Sequence, residues 1–284
     1  LAIGHGEVRG VRFAPRGRDG LTRVGGGVWP VESAAAADGA GAADGAGQVV
    51  ASDRPLARAL GAAQAALGVR QVVLALPLSR LLVRVLRMPV EVRDDLVSAV
   101  ALQMDKLSPF PGEELTVSCE VLSESDASLW VFAAAMPAQV FGELGSALDA
   151  AKLQVVRTDI GALGWLRALC GPLQLIRPGR RIVLLDLDDG WDLLVLDQGV
   201  PVLVRGLGVM PDVDTLVREL TLSLLNAELE AGAVPVADAV IVSREAPAAG
   251  LAGRLEALVG APVRHQVPPT PDGGVEGVAQ RTAE

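Results

Sequence analysis

The sequence predicts a mixed α/β protein of two similar lobes, with a small α+β unit inserted into the first. Three observations carry this. A meander of short strands with a glycine in its first turn, followed by a helix and then a strand, occurs near the N-terminus and again from Arg181. Between the two copies, the block Leu81 to Lys152 changes the order to strand, helix, two strands and helix. With 284 residues, 50% of them apolar, the chain has material for separate cores. The expected boundaries are 1–80 with 153–176 for the first lobe, 81–152 for the insert and 180–267 for the second lobe. A tail, 268–284, is rich in Pro, Gly and Thr and is expected to be flexible.

Each element has a local reason. Leu1 to Phe13 reads as two strands about the turn Gly4-His5-Gly6, with a third strand near Val28 to Val31. The repeat Ala37 to Gly47 is too poor in large apolar residues to pack and reads as a loop. Ser52 and Asp53 offer a helix cap before Pro55, Leu56, Leu60, Ala63 and Leu67 share one face, and Gly68 closes the helix. Gln71 to Leu76 is a buried-type strand stopped by Pro77. In the insert, Leu81 to Met88 is a strand, and Glu91 to Leu107 a helix with Leu96, Val100, Met104 and Leu107 on one stripe. Pro109-Phe110-Pro111 stops that helix, with Phe110 docked in the core. Leu115 to Leu122 and Ser128 to Ala135 form a hairpin, and Ala138 to Lys152 a helix with Phe141, Leu144 and Leu148 inward. Gln154 to Thr158 is a strand and Asp159 to Leu169 a helix, ended by Gly171-Pro172.

The second lobe opens with Arg180 to Gly206. Ile182 to Leu187, Trp191 to Leu196 and Val200 to Val204 are apolar and branched, separated by Asp188-Asp189-Gly190 and Asp197-Gln198-Gly199. Asp212 or Asp214 caps a helix running to about Glu230, lined by Leu216, Leu220, Leu224 and Ala227. Val236 to Val242 is a strand, Pro247 to Val259 a helix, and Ala261 to Val267 a final strand. Trp130, Trp165 and Trp191 read as core residues.

Composition removes several functions. A net charge of −9 and a pI near 4.9 disfavour nucleic acid as a partner, because phosphate tracking needs a basic stripe. Cys119 and Cys170, with His5 and His265 near opposite ends, lack metal-ligand spacing and suggest reduced thiols. No apolar run reaches the roughly 18 residues of a spanning helix, and no signal peptide opens the chain. The sequence begins at Leu1 and not at a methionine, which leaves open both that the chain is a piece of a longer protein and that an anchor lies beyond its ends.

The segment Ala99 to Leu122, AVALQMDKLSPFPGEELTVSCEVL, resembles type IV pilus assembly PilM proteins and the related cytoplasmic part of the type II secretion protein GspL. Gln103, Asp105, Pro109, Phe110, Pro111, Glu113 and Glu114 stand in that family's helix and PFP-turn pattern. Val72 to Val90 resembles its lead-in, Asp159 to Leu169 its D-x-x-A-L-x-x-A helix with Leu166 in the last place, and Ile182 to Gly206 its second-lobe meander. The resemblance implies the two-lobed fold of actin and ribonuclease H, with the insert as a distinctive subdomain. It implies a cytoplasmic scaffold, peripheral to or anchored at the inner membrane. Its partners would be a PilN-like or GspM-like membrane protein and an assembly ATPase of the GspE or PilB type, and a homodimer stays open. The expected partner surface is a cleft between insert and first lobe around Leu96, Val100, Met104 and Phe110, suited to an extended apolar peptide.

Actin-like ATPases hold Mg²⁺ and phosphates on two Asp-x-Gly turns and the adenosine on a Gly-Gly turn. Here the corresponding positions are Gly4, His5 and Gly6, then Asp186, Asp188 and Gly190, then Ser243 and Arg244. Two of the three elements are missing, so the expectation is a degenerate nucleotide site with no catalysis, no catalytic residue, no metal and no cofactor, weak ATP binding being left open. The alternatives are an ATPase or sugar kinase using ATP and Mg²⁺, and a ribonuclease H-like nuclease built on Asp186 and Asp188.

Overall fold

A computed structural model of the chain describes residues 1–4, 6–16, 20–31, 55–109, 114–187 and 190–268. His5, the loop Ala37 to Gly47, the cap residues Ser52 and Asp53, Phe110 to Glu113, Asp188, Asp189 and 269–284 of the tail lie outside the described residues.

The chain runs β1 (Ala2–Ile3), β2 (Glu7–Arg16), β3 (Gly20–Pro30), α1 (Pro55–Leu67) and β4 (Gln71–Leu76). It continues through β5 (Leu82–Pro89), α2 (Leu96–Leu107), β6 (Leu115–Glu124), β7 (Ser128–Pro137), α3 (Ala138–Ala150), β8 (Gln154–Ile160) and α4 (Gly161–Leu173). The rest is β9 (Arg180–Asp186), β10 (Trp191–Asp197), β11 (Val200–Gly208), α5 (Val213–Ala231), β12 (Val236–Ser243), α6 (Leu251–Val259) and β13 (Val263–Gln266). Short 3₁₀ turns occupy Leu78–Arg80 and Val90–Asp95.

Two five-stranded sheets share one topology: β3-β2-β1-β4-β8 and β11-β10-β9-β12-β13. In each, three antiparallel strands are followed by two parallel ones entered through helices, so each sheet is the same antiparallel meander extended by helix crossovers. The third sheet, β5-β7-β6, is antiparallel throughout. Contacts divide the chain into two compact units. One contains 1–77 and 139–167, hence the first five-stranded sheet; the other contains 78–138 and 168–271, hence the small sheet and the second five-stranded sheet. The boundary falls ahead of α3 and not after it, and the small sheet groups with the second lobe's sheet.

In the first unit, Ile3, Val8, Leu60, Ala63 and Leu74 are buried, and Gly68 ends α1 at φ +62. In the second, Ile182, Leu184, Leu193, Val195, Leu216, Leu220, Ile241 and Leu251 form one core, with α5 and α6 covering a sheet face. β9 is buried on both sides, as its unbroken apolar run anticipates. A separate core joins α2 to the small sheet through Val100, Met104, Leu129 and Val131, each 0% exposed. These two sheets approach closely: a Cβ on Gly206 in β11 would stand 2.9 Å from the Leu78 backbone. Only glycine fits there.

Four local expectations are corrected. The helix expected over Glu91 to Leu107 is 3₁₀ up to Asp95, and the α-helix starts at Leu96. α4 starts at Gly161, because the strand before it runs on to Ile160, and it passes through Gly171 and Pro172 before Gln174 closes it at φ +51. Proline in the last turn forfeits one bond without ending the helix at once. Phe141 stays 45% exposed in the first turn of α3, whereas Leu144 and Leu148 are buried. Trp165 is buried at 2%, but Trp130 and Trp191 are only partly so. Among the described residues no helix is long and apolar enough to cross a membrane.

Candidate functional site

The carboxyl ends of β9 and β12 lie side by side, with Asp186 opposite Ser243 in parallel register. Strands of an open α/β sheet leave a crevice at such ends, where ligands bind. Asp186 is exposed as a residue, yet its carboxyl is pushed above the usual range by partial burial, aided by Glu245 and opposed by Arg244. The Arg244 guanidinium donates to the Leu187 carbonyl and so lies along the end of β9.

Ser243 is 3% exposed. Its hydroxyl donates to the Glu245 carbonyl at 2.6 Å and stands 2.9 Å from His265 Nε2. A carbonyl only accepts, so the hydroxyl proton goes to Glu245 and His265 donates into the serine oxygen. A nucleophilic serine needs the reverse, a histidine accepting its proton. This pair ties β13 to the end of β12. Gly190 has φ +109, and a Cβ there would lie 2.4 Å from the Gly208 backbone. Its glycine is required by the close return of β11.

In the first unit, the turn after β1 is closed by the Gly4 amide donating to the Glu7 carbonyl at 2.8 Å, and the Val31 amide donates to the Gly6 carbonyl at 2.7 Å. A Cβ on Gly6 would meet nothing within 4 Å. Neither packing nor φ demands a glycine at this position.

The residues expected at a partner surface divide. Val100 and Met104 are fully buried beneath α2, so the expectation that they line a groove is corrected: they are core. Their stripe has the spacing of a buried face, and burial is what that spacing signals. Leu96 packs against the same core while remaining half-buried. Phe110 lies outside the described residues. Val97 at 64%, Leu102 at 57% and Leu107 at 43% are the large apolar residues that α2 leaves exposed.

No family model and no curated protein matches the sequence. Solved structures do. Over 100% of this chain and 98% of the other, it is similar to a chain of the PilM-PilN type IV pilus biogenesis complex, with TM-score 0.74 and 18% identity. It is also similar to the cytoplasmic domain of EpsL, an inner membrane component of the type II secretion system of Vibrio cholerae. There the TM-score is 0.57 and the identity 14%, over 99% of this chain and 92% of the other. The fold is actin-like.

An actin-like fold raises the question of a Mg²⁺-nucleotide, and the residues present do not fit one. The first turn offers glycine where a carboxylate is needed. At the second, partial burial and the neighbouring Glu245 push the Asp186 carboxyl up from its usual range, Arg244 lies beside it, and Gly190 is packed on Gly208. At the third, the Ser243 hydroxyl is committed to Glu245 and Arg244 occupies the strand end. Among the described residues, no three His, Cys, Asp or Glu side chains stand close enough to hold a metal ion. The sequence reading missed His265, which lies 22 residues beyond Ser243. The β12-α6-β13 crossover, legible as strand, helix and strand, is the signal that places it alongside.

Proposed function

We propose that this chain is a non-catalytic scaffold of a type IV pilus or type II secretion assembly platform. It holds a segment of a PilN-like or GspM-like inner-membrane protein and meets an assembly ATPase of the GspE or PilB type on the cytoplasmic side. The supporting observation is the likeness to a chain of the PilM-PilN type IV pilus biogenesis complex across nearly the whole of both chains. The poor fit of Asp186, Gly190, Ser243 and Arg244 to a nucleotide favours binding over chemistry. The surface assigned to the membrane partner is the outer side of α2, where Val97, Leu102 and Leu107 are exposed and Leu96 is half-buried, apolar contacts for an extended peptide.

Isothermal titration with the cytoplasmic N-terminal peptide of the PilN-like or GspM-like protein encoded with this chain tests the proposal. Saturable binding is expected, weakened about tenfold or more by Val97→Glu and by Leu107→Glu. Both positions are exposed, so the variants fold. Binding that ignores both changes rejects this surface, and absence of binding rejects the scaffold reading.

A further inference from the structure

The outer edge of the first five-stranded sheet is bare backbone. β3 is the terminal strand there and, among the described residues, pairs only with β2. Its register is unbroken from Gly25, opposite Arg12, to Pro30, opposite Glu7, so a row of backbone N–H and C=O groups faces away from the sheet over that span. Proteins screen such a row with charged side chains, bulges or short strands. The small sheet does so at β6, where the register shifts between Val121 and Ser123 and where Glu120 and Glu124 are exposed. β13, at the end of the second sheet, is four residues long. β3 carries Gly25, Gly26 and Gly27 instead.

Two of these glycines answer to the inside of the protein. A Cβ on Gly27 would stand 3.0 Å from the Trp29 ring, and one on Gly26 would stand 2.9 Å from both the Gly10 carbonyl oxygen and the Arg23 guanidinium. Gly25 does not: it has no positive φ, and a Cβ there would meet nothing within 4 Å. Glycine weakens a strand, and one that neither conformation nor packing requires marks a place where another backbone comes close.

The side chains at this edge state the chemistry of that backbone. Val28 is 55% exposed and shares its face with Gly26, two residues away, over which the Arg23 guanidinium lies. Arg12 and Arg23 are exposed, and residues 7–30 hold five arginines against two carboxylates in a chain of net charge −9. A second copy would bring the same arginines to the edge, and the acidity of the chain as a whole opposes approach to an anionic bilayer. An extended segment with a carboxylate beside Arg23 and an apolar residue two positions away beside Val28 meets both side chains.

We propose that the free edge of β3 takes up an extended acidic segment of another protein as a further strand of this sheet, the backbone supplying affinity and Arg23 and Val28 the choice of side chains. The edge belongs to the first unit and α2 to the second, so this inference does not rest on the peptide surface assigned to α2.

Titration of the full chain with an acetylated and amidated octapeptide, Thr-Glu-Thr-Val-Thr-Glu-Thr-Val, followed by amide hydrogen exchange, tests this. Saturable binding is expected, with exchange slowed over 23–30. Lysine in place of both peptide glutamates should weaken binding about tenfold or more, and so should Arg23→Glu, a variant that should bind the lysine peptide instead. N-methylation of one alternate set of peptide residues should abolish binding and of the other set should spare it, because only alternate amides of an added strand face the edge. Absence of binding overturns the proposal, as does binding indifferent to Arg23→Glu or to both N-methylated sets. Slowed exchange over 23–30 that grows with protein concentration without peptide gives the edge to a second copy. Co-sedimentation with phosphatidylglycerol vesicles in place of peptide binding gives the arginines to a lipid surface, and either result overturns the proposal.

Discussion

Asp186 carries a sign that can be measured. Its carboxyl is pushed upward, so the folded chain holds that proton more tightly than the unfolded chain does. The contribution of this carboxyl to stability is then fully present below the unfolded carboxyl value, roughly pH 4, and is lost as pH rises through the higher folded value. Asp186→Asn is expected to stabilise the protein at pH 7 and to have no effect near pH 4, read from urea melts across that range. A destabilised asparagine variant at neutral pH would mean that the carboxylate makes a favourable contact instead, as a metal or phosphate site would require. At this scale the sequence was partly legible. The Asp-Asp-Gly run marked a turn with φ > 0, and Gly190 adopts it. The Gly208 backbone that leaves no room for a Cβ on Gly190 belongs to a residue far along the chain, and no local pattern announces it. His265 stayed hidden for the same reason, since its partner is set by strand pairing and not by spacing.

At the scale of elements, α5 shows how its ends are fixed. Asp212 accepts from the Thr215 amide at 2.7 Å and caps the start, as the sequence predicts. The other end is held by Arg180, 3% exposed, which donates to the Gly232 carbonyl at 2.8 Å and to Asp197 at 3.1 Å. A cation at a helix C-terminus satisfies carbonyls that the helix leaves unpaired and opposes the dipole. Arg180→Leu abandons Asp197 and that carbonyl together, and is expected to cost on the order of 3 kcal/mol in denaturant melts. A loss within about 0.5 kcal/mol, the range of an ordinary surface change, would show that solvent replaces the clamp. Periodicity made α2, α5 and their stripes legible as faces. It does not tell a face buried in its own core from one offered to a partner, which is why Val100 and Met104 read as a groove and are packed instead under α2.

At the scale of the molecule two five-stranded sheets repeat one topology, and this was legible because each writes the same order of strand, turn, helix and strand into the chain. The grouping of the small sheet with the second five-stranded sheet was not, because it depends on contacts such as Gly206 against Leu78, far apart in sequence. The repeated topology poses the last question, whether the protein still answers to the nucleotide that its fold can hold. A ligand that binds only the folded state at 100 times its dissociation constant adds about 2.7 kcal/mol of stability, which in a chain of this size raises the melting temperature by several degrees. The three turns fit such binding poorly: the first lacks a carboxylate, the second has its glycine packed against Gly208 and the bulky Trp191 after it, and the third has its hydroxyl engaged. The melting temperature in millimolar Mg-ATP is therefore expected to match that in Mg²⁺ alone, with no phosphate released. A rise of several degrees that disappears in Asp186→Asn would place the nucleotide at this turn and overturn the scaffold reading in favour of an ATPase or sugar kinase. A rise that survives Asp186→Asn would still refute the expectation, and would move the binding residues away from the strand ends of the second sheet.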